Sequence, residues 1–199
     1  LDSQQFEYFD CSIPVKIGIN MLSLHKILKS IKNNDIITFY IKRESSSELN
    51  VKIENKDKKT VIISVLKLLD INDPIFDVPN IEFESVITMP SNDFQSYISD
   101  LAIISNILFI ESTETEFILS AEGDFASQNI IIGETNNGLI VSKRSVEKGE
   151  FNIKYLQLFT KSTNLCTTVE IYLKTKFPLI LVYNVANLGK LKYCLAPKI

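Results

Sequence analysis

The chain has 199 residues, of which 45% are hydrophobic and 23% are charged, and its formal net charge is −3. This balance is typical of a folded globular protein of one large or two small domains, and no apolar run is long enough to span a bilayer. The slight negative charge argues against a protein that coats nucleic acid over its whole surface, but it permits a locally basic surface.

The first third of the chain is predicted to contain one helix followed by three strands. Strand patterns at residues 6–9 and 15–19 precede a helix predicted over residues 21–32. Apolar side chains spaced i, i+3, i+4 and i+7 form its packing face, namely Leu24, Ile27, Leu28 and Ile31. Lysines occupy the opposite face, namely Lys26, Lys29 and Lys32. Runs rich in β-branched and aromatic residues predict strands at 35–43, 48–55 and 60–66.

Residues 67–80, with the sequence KLLDINDPIFDVPN, separate this part from the rest of the chain. Pro74 and Pro79 exclude a central strand or a helix interior, because proline fixes φ and donates no backbone hydrogen bond. The segment nevertheless holds six large apolar side chains: Leu68, Leu69, Ile71, Ile75, Phe76 and Val78. We interpret it as an extended connector that offers some of these side chains to a partner. By composition alone, an ordered crossover packed on the core is the other interpretation.

The remaining residues are predicted to repeat this design twice. A strand at 81–89 leads into a helix with Ser91 as its N-cap and with an apolar face of Phe94, Tyr97, Ile98 and Leu101. Strands follow at 107–112, 116–122, 128–134 and near 139–142. A third helix is predicted over residues 153–161, with Tyr155, Leu158 and Phe159 on one face. The last strands are predicted at 167–174, 178–185 and 190–195.

The order of helix and three strands therefore occurs three times, with Leu24, Phe94 and Tyr155 at equivalent positions. Such a repeat predicts a stacked or ring-like array in which each unit needs neighbours to bury its core. The unpaired strand patterns at the N-terminus suggest a further unit before the first one. The alternative is a generic α+β domain whose segments are similar by chance.

Catalytic chemistry has little support in the residues. The single histidine, His25, lies beside the helix lysines, and the glycines form no phosphate-binding or nucleophile motif. The connector aspartates lack the spacing of a calcium loop, and Cys11, Cys166 and Cys194 fit neither a zinc site nor a disulfide framework. We therefore predict no catalytic residue, no metal and no cofactor, and the cysteines favour a reducing compartment.

Four segments are similar to one family: residues 1–29, MPSNDFQSYISDL, YLQLFTKST and the C-terminal LGKLKYCLAPKI. Together they resemble proliferating cell nuclear antigen, the DNA sliding clamp family of eukaryotes and archaea, and the LAPKI ending and residues 18–29 are its most specific motifs. The resemblance implies an α+β clamp fold, with antiparallel sheets outside and short helices lining a ring. It implies a partial N-terminal domain over 1–66, a connector over 67–80 and a C-terminal domain over 81–199, with about the first quarter of a full subunit absent from this sequence.

The resemblance also implies a function. A clamp encircles duplex DNA as a homotrimer, receives it from a clamp loader, and tethers DNA polymerase and other replication and repair enzymes through short PIP-box peptides. It has no enzymatic activity, and it works in the nucleus or at a viral replication site in an infected cell. The alternative is a clamp paralogue that joins unlike subunits in a checkpoint or transcription complex.

Site residues follow from matching positions in the family. The matches imply DNA-facing lysines at Lys26, Lys29, Lys154 and Lys161. They place the partner-peptide pocket at Phe76, Val78, Pro178, Cys194, Ala196, Pro197 and Ile199. They place the subunit interface on two edge strands, at Val61, Ile63, Val65, Ile130, Ile131 and Ile132.

Four positions depart from the family pattern. Ser96 and Ser99 stand where arginines are common, which implies a less basic second helix. Glu114 stands where many eukaryotic clamps carry a lysine for ubiquitin attachment, so that role does not transfer. Cys194 stands where a tyrosine is usual, which implies a wider and less aromatic pocket.

Overall fold

The computed structural model describes residues 1–71, 82–133 and 146–198, together with the backbone of residues 140–143. Its helices are α1 (Met21–Leu28), α2 (Ser91–Ile104) and α3 (Ile153–Phe159), with 3₁₀ helices at Ser3–Gln5 and Thr160–Leu165. The first strands are β1 (Asp35–Lys42), β2 (Ser45–Asn55), β3 (Thr60–Lys67), β4 (Ser85–Pro90), β5 (Ile107–Ser112) and β6 (Glu116–Glu122). The others are β7 (Ser127–Gly133), β8 (Ile140–Lys143), β9 (Glu147–Asn152), β10 (Thr168–Leu173), β11 (Leu179–Val185) and β12 (Gly189–Leu195).

The chain divides into two compact units. One comprises Asp10–Asp77, and the other comprises Leu1–Phe9 together with Val78–Ile199. The order of helix and three strands, as in α1-β1-β2-β3, α2-β5-β6-β7 and α3-β10-β11-β12, is found three times in the described ranges. None of the helices in those ranges is long and apolar enough to cross a membrane.

The smaller unit is a three-stranded antiparallel sheet in the order β1-β2-β3, with α1 packed on one face. Alternate residues of β2 point toward the helix, so that Leu49, Val51 and Ile53 form the buried core with Leu66 of β3. The predicted packing face of α1 is confirmed, because all four of its apolar side chains pack partly buried against this core: Leu24, Ile27, Leu28 and Ile31.

Helix α1 ends at Leu28 rather than at residue 32 as predicted. The backbone N–H groups of Ser30 and Ile31 instead donate to the carbonyl groups three residues earlier, which tightens the end of the helix into turns. Asn20 is the N-cap of the helix, and its side chain accepts a 3.0 Å hydrogen bond from the Ser23 N–H.

The larger unit contains a five-stranded sheet, β12-β11-β10-β4-β8, and a four-stranded sheet, β7-β6-β5-β9, with antiparallel pairing throughout. Helix α2 contributes Phe94, Ile98 and Leu101 to its core, which also includes apolar side chains from both sheets. Ser91 does not cap α2 as predicted. It is the first helical residue, and its hydroxyl donates to the Cys166 carbonyl at 2.6 Å.

The predicted packing face of α3 is wrong for Tyr155 and Leu158, whereas its third residue, Phe159, packs partly buried against the core. Ile153 and Leu156 are fully buried, whereas Tyr155 and Leu158 each remain 52% exposed. The helix has seven residues and continues as a 3₁₀ helix, and the buried positions Ile153, Leu156 and Thr160 are spaced i, i+3 and i+7, as on one helical face. The equivalent of Phe94 is therefore Leu156 rather than Tyr155.

Three predicted strands differ from the structure. Residues 6–9 form no strand. In residues 15–19, Gly18 forms an isolated β-bridge with Leu69, and no longer strand is present. Strand β4 begins at Ser85, later than predicted, and residue 81 lies outside the described residues. Strand β9 was not predicted, because its sequence EKGEFN is charged and has only one large apolar residue, Phe151, which is fully buried.

A buried carboxylate joins β9 to the turn between β10 and β11. Glu147 accepts hydrogen bonds of 2.6 Å from both the N–H and the hydroxyl of Thr175. Replacing Glu147 by alanine is expected to lower the free energy of unfolding by about 2 kcal/mol, because two donors lose their partner. Urea denaturation measures this, with Glu114→Ala, an exposed glutamate, as the control. An equal loss in both variants would contradict the assigned role of Glu147.

Candidate nucleic-acid and partner interfaces

The exposed face of α1 carries Lys26 in its last turn and Lys29 at its C-cap. Cations at this end of a helix are stabilised by the carbonyl groups that point toward them. The following turn is fixed by Asp35, which accepts a 2.6 Å hydrogen bond from the Asn55 side chain and a 2.8 Å bond from the Lys32 N–H. These two bonds hold the pKa of Asp35 below its ordinary value.

In the larger unit, Lys154 lies on the exposed side of α3 and Lys161 on the exposed side of the following 3₁₀ helix. The Asn152 side chain caps α3 by accepting a 3.1 Å hydrogen bond from the Lys154 N–H. All four predicted DNA-facing lysines are therefore exposed on short helical segments, two in each unit.

Helix α2 differs from the other two helices in charge. Its exposed face holds Asp93, Ser96, Ser99 and Asp100, and it carries no cation. The Ser99 hydroxyl turns back to the Gln95 carbonyl at 2.8 Å. The lysine-bearing surfaces are thus confined to α1 and to the α3 region among the helices that the structure describes.

Strand β3 is an open edge of the smaller unit. Among the described strands it pairs with β2 alone, and Val61, Ile63 and Val65 on the face away from α1 are 54%, 54% and 53% exposed. An edge strand with free backbone groups and exposed β-branched side chains is a surface for pairing with another strand.

Strand β7 is an open edge of the larger unit. It pairs with β6 alone among the described strands, and Ile131, opposite Ile118 in register, is 61% exposed. Ile130 and Ile132 point to the other face and pack partly buried against the core. Each unit therefore has an apolar edge strand among its described strands, β3 or β7, and these two strands contain all six residues of the predicted interface.

The described members of the predicted peptide pocket lie together on the five-stranded sheet. Cys194 is paired with Ile180, and Pro178 and Ala196 lie one residue beyond the paired Leu179 and Leu195. We call this side of the sheet, which faces away from the core, the pocket face. Pro178, Cys194 and Pro197 are half-buried and Ala196 is exposed. Phe76, Val78 and Ile199 lie outside the described residues.

Three further residues on the pocket face were not predicted. Ile180 points away from the core yet is only 4% exposed, and Tyr172 of β10 is paired with it in register. The ring of Phe83 meets the Tyr172 ring edge-on, with centroids 5.6 Å apart. The alternation of side chains along β11 predicts that Ile180 lies on this face. Predicting the cross-strand row Tyr172–Ile180–Cys194 also needs the register of three paired strands.

Tyr172 is held in place by a polar network. Its hydroxyl donates to one oxygen of Glu170 at 2.7 Å, and the Asn184 side chain donates to the other oxygen at 2.7 Å. Burial, followed by the neighbouring Glu170 carboxylate, raises the pKa of Tyr172 to about 12. The ring that stands beside Ile180 is therefore neutral and fixed in orientation at physiological pH.

The C-terminal residues form one wall of a groove of about 610 Å³. Ala196 and Pro197 line it on one side, and Asn152 and Tyr155 of the α3 region line it on the other. The N–H of Lys198 donates to the Glu150 carbonyl at 2.8 Å, which holds this extended segment beside β9.

His25 is exposed, and the described residues bring together no group of three metal-ligating side chains.

The described residues thus combine lysine-bearing short helices with antiparallel sheets that end in apolar edge strands, the architecture of the DNA clamp class. Residues 1–75 match the family model "Proliferating cell nuclear antigen, N-terminal domain" and residues 77–198 match "Proliferating cell nuclear antigen, C-terminal domain". The chain belongs to the proliferating cell nuclear antigen family of DNA sliding clamps, which confirms the predicted family and fold class.

Two viral proteins illustrate the similarity. The chain is 35% identical over 202 residues to the "Probable DNA polymerase sliding clamp 1" of Paramecium bursaria Chlorella virus 1, covering 99% of this chain and 77% of that protein. It is 34% identical over 200 residues to the "Probable DNA polymerase sliding clamp" of Acanthamoeba polyphaga mimivirus, covering 99% of this chain and 43% of that protein.

Proposed function

We propose that the protein is a DNA sliding clamp: a homotrimeric ring that encircles duplex DNA and tethers DNA polymerase and other replication enzymes. The observation that carries the proposal is the match to both clamp domains within one chain. A processivity assay on a long primed template tests it, with the full-length protein expected to lengthen the products of its polymerase. Products of unchanged length would contradict the proposal.

Ring closure rests on the two edge strands. Strand β3 of one copy pairs with β7 of the next, which continues the sheet and satisfies the free backbone groups of both edges. The exposed row Val61, Ile63 and Val65 then meets the row that contains Ile131 and Ile118. Burial of each such side chain stabilises the contact by about 1.5–3 kcal/mol before the cost of association.

DNA contact rests on the four exposed lysines. Lysine contacts to phosphate are independent of sequence and weaken with salt, which suits a protein that must move along the duplex. Because the exposed face of α2 is neutral to acidic, the phosphate contacts come from α1 and the α3 region. Enclosure by the ring, rather than tight contact, keeps the protein on DNA, and no catalytic step is needed.

Partner tethering rests on the pocket face. An extended peptide adds backbone hydrogen bonds along the C-terminal segment and places an aliphatic and an aromatic side chain against Pro178, Cys194 and Ala196. Phe76, Val78 and Ile199 complete this pocket in the proposal. Because cysteine is small, the pocket accepts a bulkier aromatic side chain than one with tyrosine at this position.

Peptide binding provides a specific test of the pocket. In calorimetry with a PIP-box peptide and the full-length protein, Pro178→Ala and Phe76→Ala are each expected to weaken binding by about tenfold, because each removes apolar contact. Cys194→Tyr is expected to shift preference back toward ordinary PIP boxes. Pro14→Ala, an exposed proline of the smaller unit, is the control. Absence of heat with the wild-type protein, or affinity untouched by Phe76→Ala, would exclude the pocket.

We also propose that the protein acts where viral DNA is replicated in an infected cell. This location is supported by the viral origin of both relatives, whereas a nuclear location has no such support. A paralogue that joins unlike subunits is the competing function. Co-purification of different clamp subunits in place of a homotrimer would favour it.

A further inference from the structure

The pocket face is surrounded by positive charge. Lys190 and Lys192 alternate with Cys194 along β12 and therefore lie on the same side of the sheet. Lys174 and Lys176 lie between β10 and β11, at the end of the sheet where Pro178 stands. Lys198 follows Pro197 in the extended C-terminal segment. We call these five residues the lysine rim.

The lysines of the rim are not neutralised by the residues that the structure describes. The ion pair found in the described ranges joins Lys52 and Glu54, which belong to the smaller unit. Lys190, Lys192, Lys176 and Lys198 are exposed. Lys174 instead donates to the Glu82 backbone carbonyl at 3.3 Å and lies over the Phe177 ring, 5.1 Å from its centroid.

Glu170 is an acid on the same face, in the cross-strand row Glu170–Val182–Lys192. Both of its oxygens accept hydrogen bonds, one from Tyr172 and one from Asn184, which hold the carboxylate beside Tyr172 at the β10 end of that row. Lys192 lies at the β12 end, two residues from Cys194. Cations therefore lie at the β12 edge of the apolar row Tyr172–Ile180–Cys194 and at the turn before Pro178, whereas this anion lies at its β10 end.

We propose that this pocket selects peptides whose aromatic residue is flanked by aspartate or glutamate. The inference rests on the proposed peptide pocket and specifies the chemistry of its partners. The aromatic side chain packs against the apolar row, and flanking carboxylates meet Lys192 on one side and Lys174 or Lys198 on the other. Complementary charge at a rim speeds association and discriminates against basic flanks more than it raises total affinity.

Three labelled peptides with one common apolar core test the proposal on the full-length protein. Their flanks are acidic, neutral or basic, and binding is measured by fluorescence anisotropy at low and at high salt. The acidic peptide is expected to bind best and the basic peptide worst, with about a threefold change in Kd for each charge. The differences should shrink as salt is raised, because the lysines are exposed.

Charge reversal identifies the residues responsible. Lys192→Glu is expected to weaken binding of the acidic peptide and strengthen binding of the basic one, while the affinity for the neutral peptide stays unchanged. Lys192→Ala is a milder second variant, and Lys58→Glu, in the turn between β2 and β3, is the control with the same charge change. Thermal unfolding of each variant verifies that it is folded.

The outcomes separate the two levels of the proposal. If all three peptides bind equally and Lys192→Glu alters none of them, the lysine rim plays no part, whereas the pocket itself stands. If the basic peptide binds best, the selectivity is the reverse of the one proposed. If even the neutral peptide fails to bind, the peptide pocket is wrong and the inference falls with it.

Discussion

Replacing Ile131 by proline is expected to convert the full-length protein from trimers into monomers. Ile131 lies in the middle of β7, whose outer edge has no partner among the described strands. Proline donates no backbone hydrogen bond and does not fit a central strand, so that β7 can no longer be the inner strand of a sheet shared by two copies. Light scattering at micromolar concentration measures the mass directly.

Two further variants make this result specific. Ile63→Lys places a charge on the exposed row of β3, the other half of the proposed contact, and is expected to weaken assembly without changing the backbone. Ile103→Lys alters an exposed isoleucine of α2, outside both edge strands, and is expected to leave the trimer intact. A monomeric wild-type protein, or a trimeric Ile131→Pro variant, would refute the edge-to-edge contact.

Replacing Lys26, Lys29 and Lys161 by alanine is expected to reduce the salt dependence of DNA association. Each lysine that neutralises a phosphate contributes about 0.9 to the slope of log K against log salt, and the trimer carries three copies of each lysine. The slope therefore falls in nearly equal steps as the three substitutions are combined. Measurement on duplexes of different sequence is expected to give the same slopes.

Lys58→Ala, an exposed lysine in the turn between β2 and β3, is the matched control for this series. It removes the same charge from a turn rather than from a helix, and the slope is expected to stay near that of the wild-type protein. Tight binding to one short sequence, or a slope that all three helix substitutions leave unchanged, would argue against helices that face DNA.

The sequence predicts the fold best where one periodic face meets a core. The packing faces of α1 and α2 follow from the spacing of Leu24 and Phe94 and their neighbours, because both helices bury a continuous apolar stripe. In α3, the apolar residues outnumber the buried positions, so that Tyr155 and Leu158 resemble core residues and are exposed. Strand β9 was missed because its inward Glu147 is stabilised by Thr175, a contact distant in sequence.

The residues of the candidate sites stay predictions from family positions. The pairing of β11 with β12 brings the described residues of the predicted pocket together. The positions of Tyr172 and Phe83 could not be predicted, because cross-strand register and the Glu170 network depend on tertiary pairing. The lysine rim likewise becomes visible only when strands and turns are placed on one face of the sheet.

Retention on circular DNA tests the central claim most directly. The full-length protein is loaded by its clamp loader onto a closed circular plasmid, washed at high salt, and the plasmid is then cut once. A ring that encloses the duplex is expected to remain on the closed circle despite the salt and to leave when the DNA is linearised, because it slides off the new ends. Loss of the protein from the closed circle in high salt, or equal retention after cutting, would contradict a sliding clamp.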